Sequence, residues 1–264
     1  MFSLHLQCPQ DERDLLIAEL WEAGVEGIVE TPTGLHAFFD GAADRDALRE
    51  RFGGELEETE ERDWVAEGRE ALQPMLAGTK FFLRPEWRDD PAPEGRLTIV
   101  VNSGLAFGTG AHESTRLCLA ALEEMLTPGM TVVDIGTGSG ILAEAAVKLN
   151  AGRVLACDID PTAVEVAREN FARAGIRVEL FEGSAPNIDA GVADLVIGNL
   201  SPEWLEMLGA DLARIAKPGG VVLLSGIEAH DLERLLPKLS AEGLAIQKID
   251  EENQWRALRL VRAT

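Results

Sequence analysis

The chain has 264 residues, a hydrophobic fraction of 46% and a formal net charge of −22. This length accommodates one large α/β domain and a small second domain, and the hydrophobic fraction allows a sizeable core. The negative charge argues strongly against nucleic acid as a direct partner, because nucleic-acid-binding proteins neutralise phosphates with Lys and Arg.

The sequence also shows no sign of membrane insertion, disulfide formation or metal binding. No stretch approaches the roughly 18 uninterrupted apolar residues of a membrane helix. Acidic residues from Asp11 to Asp14 interrupt the N-terminus before the apolar region of a signal peptide. The three cysteines lack C-x-x-C spacing and the four histidines are scattered. We therefore expect a cytoplasmic protein with reduced thiols, no metal site and no membrane contact.

Residues 1–62 are predicted to form a small α+β domain that carries half of the excess negative charge. They contain 16 Asp and Glu against 5 Arg. Such a surface would steer a basic protein substrate toward it, although solubility or adaptation to salt explains the charge equally well. Periodicity and turn residues predict the βαββαβ order of a ferredoxin-like module. Its strands are expected at Phe2–Cys8, Val25–Glu30, Leu35–Asp40 and Leu56–Glu60, and its helices at Asp11–Trp21 and Asp44–Phe52.

Residues 63–96 are expected to link this domain to a second one at 97–264. Asp63–Leu72 is predicted to be a helix and the proline-containing segment 85–96 a polar loop. Beyond Leu97, buried strands alternate with helices, which indicates a parallel sheet covered by helices on both faces.

The elements of this second domain follow from runs of apolar residues and their spacing. Strands are predicted at Thr131–Ile135, Arg153–Asp158, Arg177–Phe181, Asp194–Ile197 and Gly220–Ser225, and helices at Ile141–Leu149, Thr162–Ala174, Pro202–Ile215 and Asp231–Leu239. The last two segments, Leu244–Asp250 and Trp255–Val261, have no helix between them and predict an antiparallel hairpin. A parallel sheet that ends in such a hairpin is typical of Rossmann-like methyltransferases rather than of dinucleotide dehydrogenases.

The strongest local signal is a glycine-rich turn between a buried strand and a helix. Residues 132–142 read VVDIGTGSGIL, with Gly136, Gly138 and Gly140 in the turn. Glycine is needed where the backbone turns tightly and lies against a ligand. The dinucleotide fingerprint G-x-G-x-x-G would require glycine at Ile141, whereas G-x-G-x-G resembles the first motif of methyltransferases that use S-adenosylmethionine (SAM). A purely structural turn before a helix is the alternative.

An acidic residue ends the next predicted strand. Asp158 lies 22 residues beyond Gly136, and in a doubly wound sheet a carboxylate there reaches the ribose hydroxyls of a nucleotide. Asp160, which precedes Pro161, suits a helix N-cap instead. We therefore assign Asp158 to ribose binding and Asp160 mainly to capping.

Asn199 follows the fourth predicted strand, in the run Gly198-Asn199-Leu200-Ser201-Pro202. Ligands of open α/β sheets bind at the carboxyl ends of strands, so Asn199 is expected to face the reacting centre. Its amide oxygen can accept a hydrogen bond from an incoming amine and orient the nitrogen lone pair. A turn-forming asparagine before a helix fits the same residues.

The segment 104–119, GLAFGTGAHESTRLCL, opens a helix that runs to about Met125. It has the composition of a loop that folds over a cofactor, with Phe107 shielding it and a hydroxyl of Thr109 or Thr115 bonding its carboxylate. An ordinary capped helix start explains the pattern as well.

Together with DIGTGSGIL, CDIDP and GNL, this segment closely resembles the methyltransferases of ribosomal protein L11, the PrmA family. The resemblance extends over nearly the whole chain. It implies a SAM site built from the glycine turn, which includes Gly138, and from a loop that lies above the methionine moiety. The implied SAM contacts are Thr115, Gly136, Asp158 and Asn199, with Phe107 and Gly108 in that loop.

The resemblance further implies a protein N-methyltransferase that modifies lysine and N-terminal amines of a large-subunit ribosomal protein, recognised by the N-terminal domain. We expect a monomer in which a neutral amine displaces the sulfonium methyl group in line, with Asn199 as the catalytic residue. For His112 a structural role is favoured over proton removal. The alternatives are a methyltransferase of another protein, a non-catalytic SAM-binding module, and an NAD-dependent oxidoreductase, which Ile141 and the terminal hairpin disfavour.

Overall fold

The computed structural model describes residues 2–9, 13–31, 33–58, 73–101 and 112–263. The chain divides into two units, Met1–Leu72 and Gln73–Thr264, and each has its own hydrophobic core. Among the described residues, none of the helices is both long and apolar enough to span a membrane.

The first unit is the ferredoxin-like module that the sequence predicts. Its elements are β1 (Phe2–Gln7), α1 (Arg13–Glu22), β2 (Gly27–Thr31), β3 (Gly34–Phe39), α2 (Arg45–Phe52) and β4 (Glu55–Glu58). The strands form one antiparallel sheet in the order β2-β3-β1-β4. Alternation along β1 buries Phe2, Leu4 and Leu6 in the core of this unit.

The second unit begins earlier than the sequence indicates. Residues 73–101, mostly expected as linker, contain β5 (Met75–Ala77), β6 (Phe81–Pro85) and β7 (Leu97–Val101). These strands form a three-stranded sheet in the order β5-β6-β7, with β5 antiparallel and β7 parallel to β6. Because this sheet packs into the core of the second unit, the division of the chain lies between Leu72 and Gln73. The predicted helix at Asp63–Leu72 lies outside the described residues.

A seven-stranded sheet forms the centre of the second unit. Its strands are β8 (Thr131–Ile135), β9 (Arg153–Asp158), β10 (Glu179–Glu182), β11 (Ala193–Asn199), β12 (Ala216–Glu228), β13 (Leu244–Glu252) and β14 (Trp255–Arg262). The helices are α3 (Glu113–Met125), α4 (Ile141–Lys148), α5 (Pro161–Ala174), α6 (Pro202–Ile215) and α7 (Leu232–Ala241). The strand order is β10-β9-β8-β11-β12-β14-β13, with the first five strands parallel and the last two antiparallel to their neighbours. This confirms the predicted Rossmann-like methyltransferase fold and its terminal hairpin.

Successive residues of the central strands face opposite sides of this sheet. Val132 and Leu195 belong to the core shared with α3, α4 and α5, whereas Val133 and Val196 belong to the core shared with α6 and α7. This alternation explains why the strands read as continuous apolar runs, since both faces are covered.

The terminal hairpin is fastened to α3 by charged pairs. Arg259 on β14 is only 7% exposed and bonds to Glu124 on α3 and to Asp250 on β13. Arg116 on α3 bonds to Glu252 at 2.5 and 3.0 Å. Arg116 holds the tip of the hairpin beside the start of α3, and Arg259 holds β14 beside the end of this helix.

We expect Gly140→Ala to destabilise the second unit by about 2–4 kcal/mol, through backbone strain and overpacking. Gly140 has φ +84°, and an added Cβ would lie 2.5 Å from the buried ring of Phe171. Gly219→Ala is the matched control, because Gly219 has φ +74° but no atom within 4 Å of such a Cβ. Urea unfolding curves should show that the control lowers the free energy of unfolding by about 1 kcal/mol. An equal decrease in both variants would contradict the packing argument.

Candidate functional site

A cavity of about 540 Å³ opens at the carboxyl ends of the central strands. Ile135, Asp158 and Asn199, which end β8, β9 and β11, all line it. β8 and β11 are neighbours, with β9 and β10 on one side and β12 on the other, so the cavity lies at the topological switch point of the sheet. Ligands of open α/β sheets bind at this point, and the volume is in the range of small-molecule sites.

The glycine turn after β8 forms the floor of the cavity. Gly136, Gly138 and Gly140 have φ values of +68°, +55° and +84°, a region that strongly favours glycine. Two N–H groups of the turn donate to the Cys157 carbonyl at 2.9 and 3.0 Å. Leu200 covers Gly136 so closely that a Cβ there would lie 2.3 Å from its side chain. The positive φ is the main reason for glycine at this position, because the end of the Leu200 side chain could shift to admit a Cβ.

Asp158 joins the end of β9 to this turn. One carboxylate oxygen accepts from the Gly138 N–H at 2.9 Å and the other from the Asp160 N–H at 3.0 Å. Each oxygen has a further lone pair, so the carboxylate can still accept from ligand hydroxyls. Asp160 caps α5 by accepting from the Thr162 N–H at 2.8 Å, with Pro161 in the first turn, which confirms its predicted role.

Asp134 lies beneath the turn and is 1% exposed. The Thr137 hydroxyl donates to it at 2.7 Å, and the Ala143 backbone N–H also bonds to it. Burial raises the pKa of Asp134 from 3.8 to about 6 despite these two hydrogen bonds. Burial also raises the pKa of the neighbouring Cys157 thiol to about 12, so this thiol stays protonated.

Asn199 lines the cavity, and its side-chain amide lies against Thr115 in the first turn of α3. The Nδ2 group donates to the Thr115 hydroxyl over 3.3 Å. Thr115 is 3% exposed and stands behind Asn199 rather than on the cavity wall. The hydroxyl thereby helps to set the orientation of the amide, whose oxygen is left to accept hydrogen bonds.

His112 and Trp255 form the wall nearest the terminal hairpin. Their rings meet edge to face, with centroids 4.4 Å apart. His112 caps α3 through Nδ1, which accepts from the Ser114 N–H at 3.2 Å and lies 2.8 Å from the Ser114 hydroxyl. An Nδ1 that accepts places the proton of a neutral imidazole on Nε2, so this ring is a donor rather than a base at its other nitrogen.

Apolar side chains surround the cavity on the side of β9 and α6. Ile159 and Trp204, 55% and 39% exposed, both line it together with Leu208 and Leu200. Among the described residues, no group of His, Cys, Asp and Glu is placed to hold a metal ion.

Comparison with known proteins places these features in a family. A family model described as "Ribosomal protein L11 methyltransferase (PrmA)" matches residues 7–263. The chain belongs to this family.

Two relatives named ribosomal protein L11 methyltransferase differ in how much of them the chain covers. The protein of Deinococcus radiodurans is 34% identical over 251 residues, or 92% of this chain and 91% of the relative. The protein of Pelotomaculum thermopropionicum is 42% identical over 200 residues, 75% of this chain but only 65% of the relative. The chain therefore spans slightly less than two thirds of that relative's length.

A solved structure supports the fold as well. The ribosomal protein L11 methylase of Lactobacillus delbrueckii subsp. bulgaricus superposes with a TM-score of 0.69 and is 32% identical, covering 73% of this chain and 100% of that one.

The structure brings together most of the site residues that were predicted from the sequence of this member of the L11 methyltransferase family. Gly136, Gly138, Asp158 and Asn199 line one cavity, with Thr115 directly behind Asn199. Phe107 and Gly108 lie outside the described residues. Sequence reasoning did not assign Ile159, Trp204 or Trp255 to the site. The position of Ile159, directly after Asp158 at a strand end, is the only local signal that these residues carried.

Asp134→Asn should change the pH dependence of stability. Below about pH 4 the carboxyl is protonated in both folded and unfolded chains. As the pH rises toward about 6, this carboxyl ionises fully only in the unfolded chain. The free energy of unfolding of the wild type therefore falls by about 3 kcal/mol relative to that of the variant. Urea unfolding of both proteins across this range measures the difference.

Asp194→Asn is the control with the opposite sign. Lys217 lowers the pKa of Asp194, so the stabilisation from this carboxylate is present above its unfolded pKa and is lost as the pH falls. A difference between Asp134→Asn and wild type that is independent of pH would contradict the burial argument.

Proposed function

We propose that this chain is a cytoplasmic, SAM-dependent protein N-methyltransferase that modifies lysine side chains and the N-terminal amine of ribosomal protein L11. The observation that carries the proposal is the single cavity in which the glycine turn, Asp158 and Asn199 meet at the switch point of a methyltransferase fold. Family membership supports the choice of substrate. SAM supplies a methyl group bonded to a sulfonium, which is already activated for transfer to a nucleophile.

The residues on the β9 side of the cavity fit the nucleoside part of SAM. Asp158 has lone pairs left for the ribose hydroxyls, and the glycine turn allows the ligand to approach the backbone closely. Ile159 and Trp204 offer apolar surface to the purine ring, since both are exposed in the cavity. Contacts of Thr115, Phe107 and Gly108 with SAM remain predictions from the resemblance.

Asn199 is suited to orient the acceptor amine. Its Nδ2 group is directed at Thr115, which leaves Oδ1 to accept a hydrogen bond from an amine N–H. Such a bond aims the nitrogen lone pair at the methyl group, and correct alignment rather than strong base catalysis is what this displacement needs. The amine must be neutral before it reacts, so it loses its proton before the transfer.

We assign a structural role to His112. Its Nδ1 accepts a hydrogen bond at the start of α3, so the neutral ring carries its proton on Nε2 and cannot accept another there. The ring also packs on Trp255, and the two residues form the cavity wall beside the terminal hairpin. Positioning of this wall, rather than proton transfer, is the function that its geometry supports.

We assign recognition of the substrate to the first unit. Its sequence segment 1–62 carries 16 acidic residues against 5 arginines, and ribosomal proteins that bind RNA are basic. Opposite charge would speed the encounter and orient the substrate, without a nucleic-acid partner. We expect the enzyme to act as a monomer.

The deciding experiment incubates the purified protein with radiolabelled SAM and L11 of the same organism, followed by mass spectrometry of the labelled protein. We expect label on lysine and N-terminal amines, and its loss when Asp158→Ala replaces the wild type. SAM binding without label on L11 would contradict the substrate. Absence of SAM binding would contradict the proposed enzyme class as well as the substrate.

Asn199→Ala should lower turnover about 100-fold or more, because the amine is no longer aligned. The circular dichroism spectrum and unfolding midpoint should stay close to those of the wild type. Steady-state methylation of L11 under saturating SAM measures the effect.

Asn150→Gly is the matched control for this prediction. Asn150 has φ +67°, which glycine adopts freely, and it is exposed after α4 without lining the cavity. The control should keep wild-type turnover. Near-normal turnover of Asn199→Ala would exclude the proposed role of this residue.

A further inference from the structure

A second cavity, of about 370 Å³, lies between the three-stranded sheet and helices α4 and α5. It shares no lining residue with the cavity at the switch point. Its wall is formed by Arg84 on β6, the loop after β6, Glu144 and Lys148 on α4, and Arg173 on α5. The site is therefore separate from the proposed methyl-transfer site.

The charges that line this cavity are balanced. Three cations, Arg84, Lys148 and Arg173, line it together with three carboxylates, Asp89, Asp90 and Glu144. Asp90 is already bound by Arg88 through two hydrogen bonds, at 2.6 and 3.0 Å. A strongly cationic ligand would be repelled by the Arg and Lys side chains, and a strongly anionic one by the carboxylates. The lining therefore favours a ligand that carries one group of each charge.

Arg84 has unused hydrogen-bonding capacity. Its Nε group is buried and has no acceptor among the described residues. Its ion pair with Asp89 is long, at 3.6 Å, and Asp89 is fully exposed. The remaining donors of the guanidinium are its Nη groups. A ligand carboxylate in the cavity can accept hydrogen bonds from them in place of the long contact with Asp89.

Glu144 provides the opposite charge. It is 4% exposed, and its described ion pair is with Lys148 at 3.4 Å. An ionised carboxylate accepts hydrogen bonds only, so Glu144 can receive an ammonium group from a ligand. Arg173 already has partners, because it donates to Asn170 at 2.7 Å and pairs with Glu86 at 3.3 Å.

We propose that this cavity binds a free α-amino acid, with the ligand carboxylate on Arg84 and the ligand ammonium on Glu144. The small volume excludes a folded partner, and the balanced lining matches a zwitterion. The site adjoins the glycine turn, since Asn170 lines the cavity and donates to the Ser139 carbonyl at 2.8 Å. The inference stands apart from the methyl-transfer reaction, because none of these side chains lines the other cavity.

The test is calorimetric titration with glycine, the smallest zwitterionic probe, and then with the common L-amino acids. Saturating S-adenosylhomocysteine is present throughout, so that the probe cannot occupy the methionine part of the first cavity. We expect glycine to bind at least about tenfold more tightly than acetate or methylamine, because each of these carries only one of the two charged groups.

Two variants locate the site. Arg84→Gln should weaken glycine binding about tenfold or more, and Glu144→Gln should remove the preference for glycine over acetate. Arg153→Gln is the control, since Arg153 pairs with Glu179 in the same unit but lines neither cavity. It should bind glycine like the wild type.

The proposal is overturned if no amino acid binds at concentrations up to about 10 mM, or if Arg84→Gln binds glycine as tightly as the wild type. Normal binding of S-adenosylhomocysteine in those experiments would leave the proposed methyltransferase function intact. Loss of that binding in the wild type would count against the proposed function instead.

Discussion

The turn between β8 and α4 is the constraint on which the site depends. Three glycines with positive φ let the chain leave a buried strand and enter a helix within a few residues. The bonds from this turn go to the end of β9, at the Cys157 carbonyl and the Asp158 carboxylate. The surface offered to the ligand and the carboxylate proposed to bind its ribose are thus held by the same hydrogen bonds.

The opposite wall depends on contacts between segments that are distant in sequence. Arg116 and Arg259 tie α3 to the terminal hairpin, and Trp255 then packs on His112. Exposed ion pairs stabilise little, but Arg259 is nearly buried and satisfied by two carboxylates. Its main effect is therefore to hold the hairpin in place, which positions the aromatic wall.

The two cavities differ in how completely their charged groups are satisfied. Beneath the first, Asp134 receives two hydrogen bonds despite its burial, so it is part of the supporting structure. In the second, Arg84 keeps a buried N–H group without an acceptor among the described residues. The hydrogen bonds of Asp134 hold the turn above it, although burial still disfavours its ionised form. Arg84 instead lines its cavity with a long ion pair to the exposed Asp89.

The sequence by itself determined the local elements, because strand and helix periods and turn residues act over a few positions. β8, β9 and α6 begin and end where they were predicted, and Asp160 caps α5 as expected. The glycine spacing, Asp158 and Asn199 likewise identified one edge of a parallel sheet, since strand ends meet there.

Only the tertiary structure decided what depends on distant contacts. The short strands β5 and β6 were missed because they are stabilised by pairing within the second unit rather than by a local pattern. β12 extends from Ala216 to Glu228, beyond the predicted Gly220–Ser225, because it pairs with both β11 and β14. Trp255 and Arg84 acquire their roles only from neighbours that the folded chain brings to them, and no spacing in the sequence encodes those encounters.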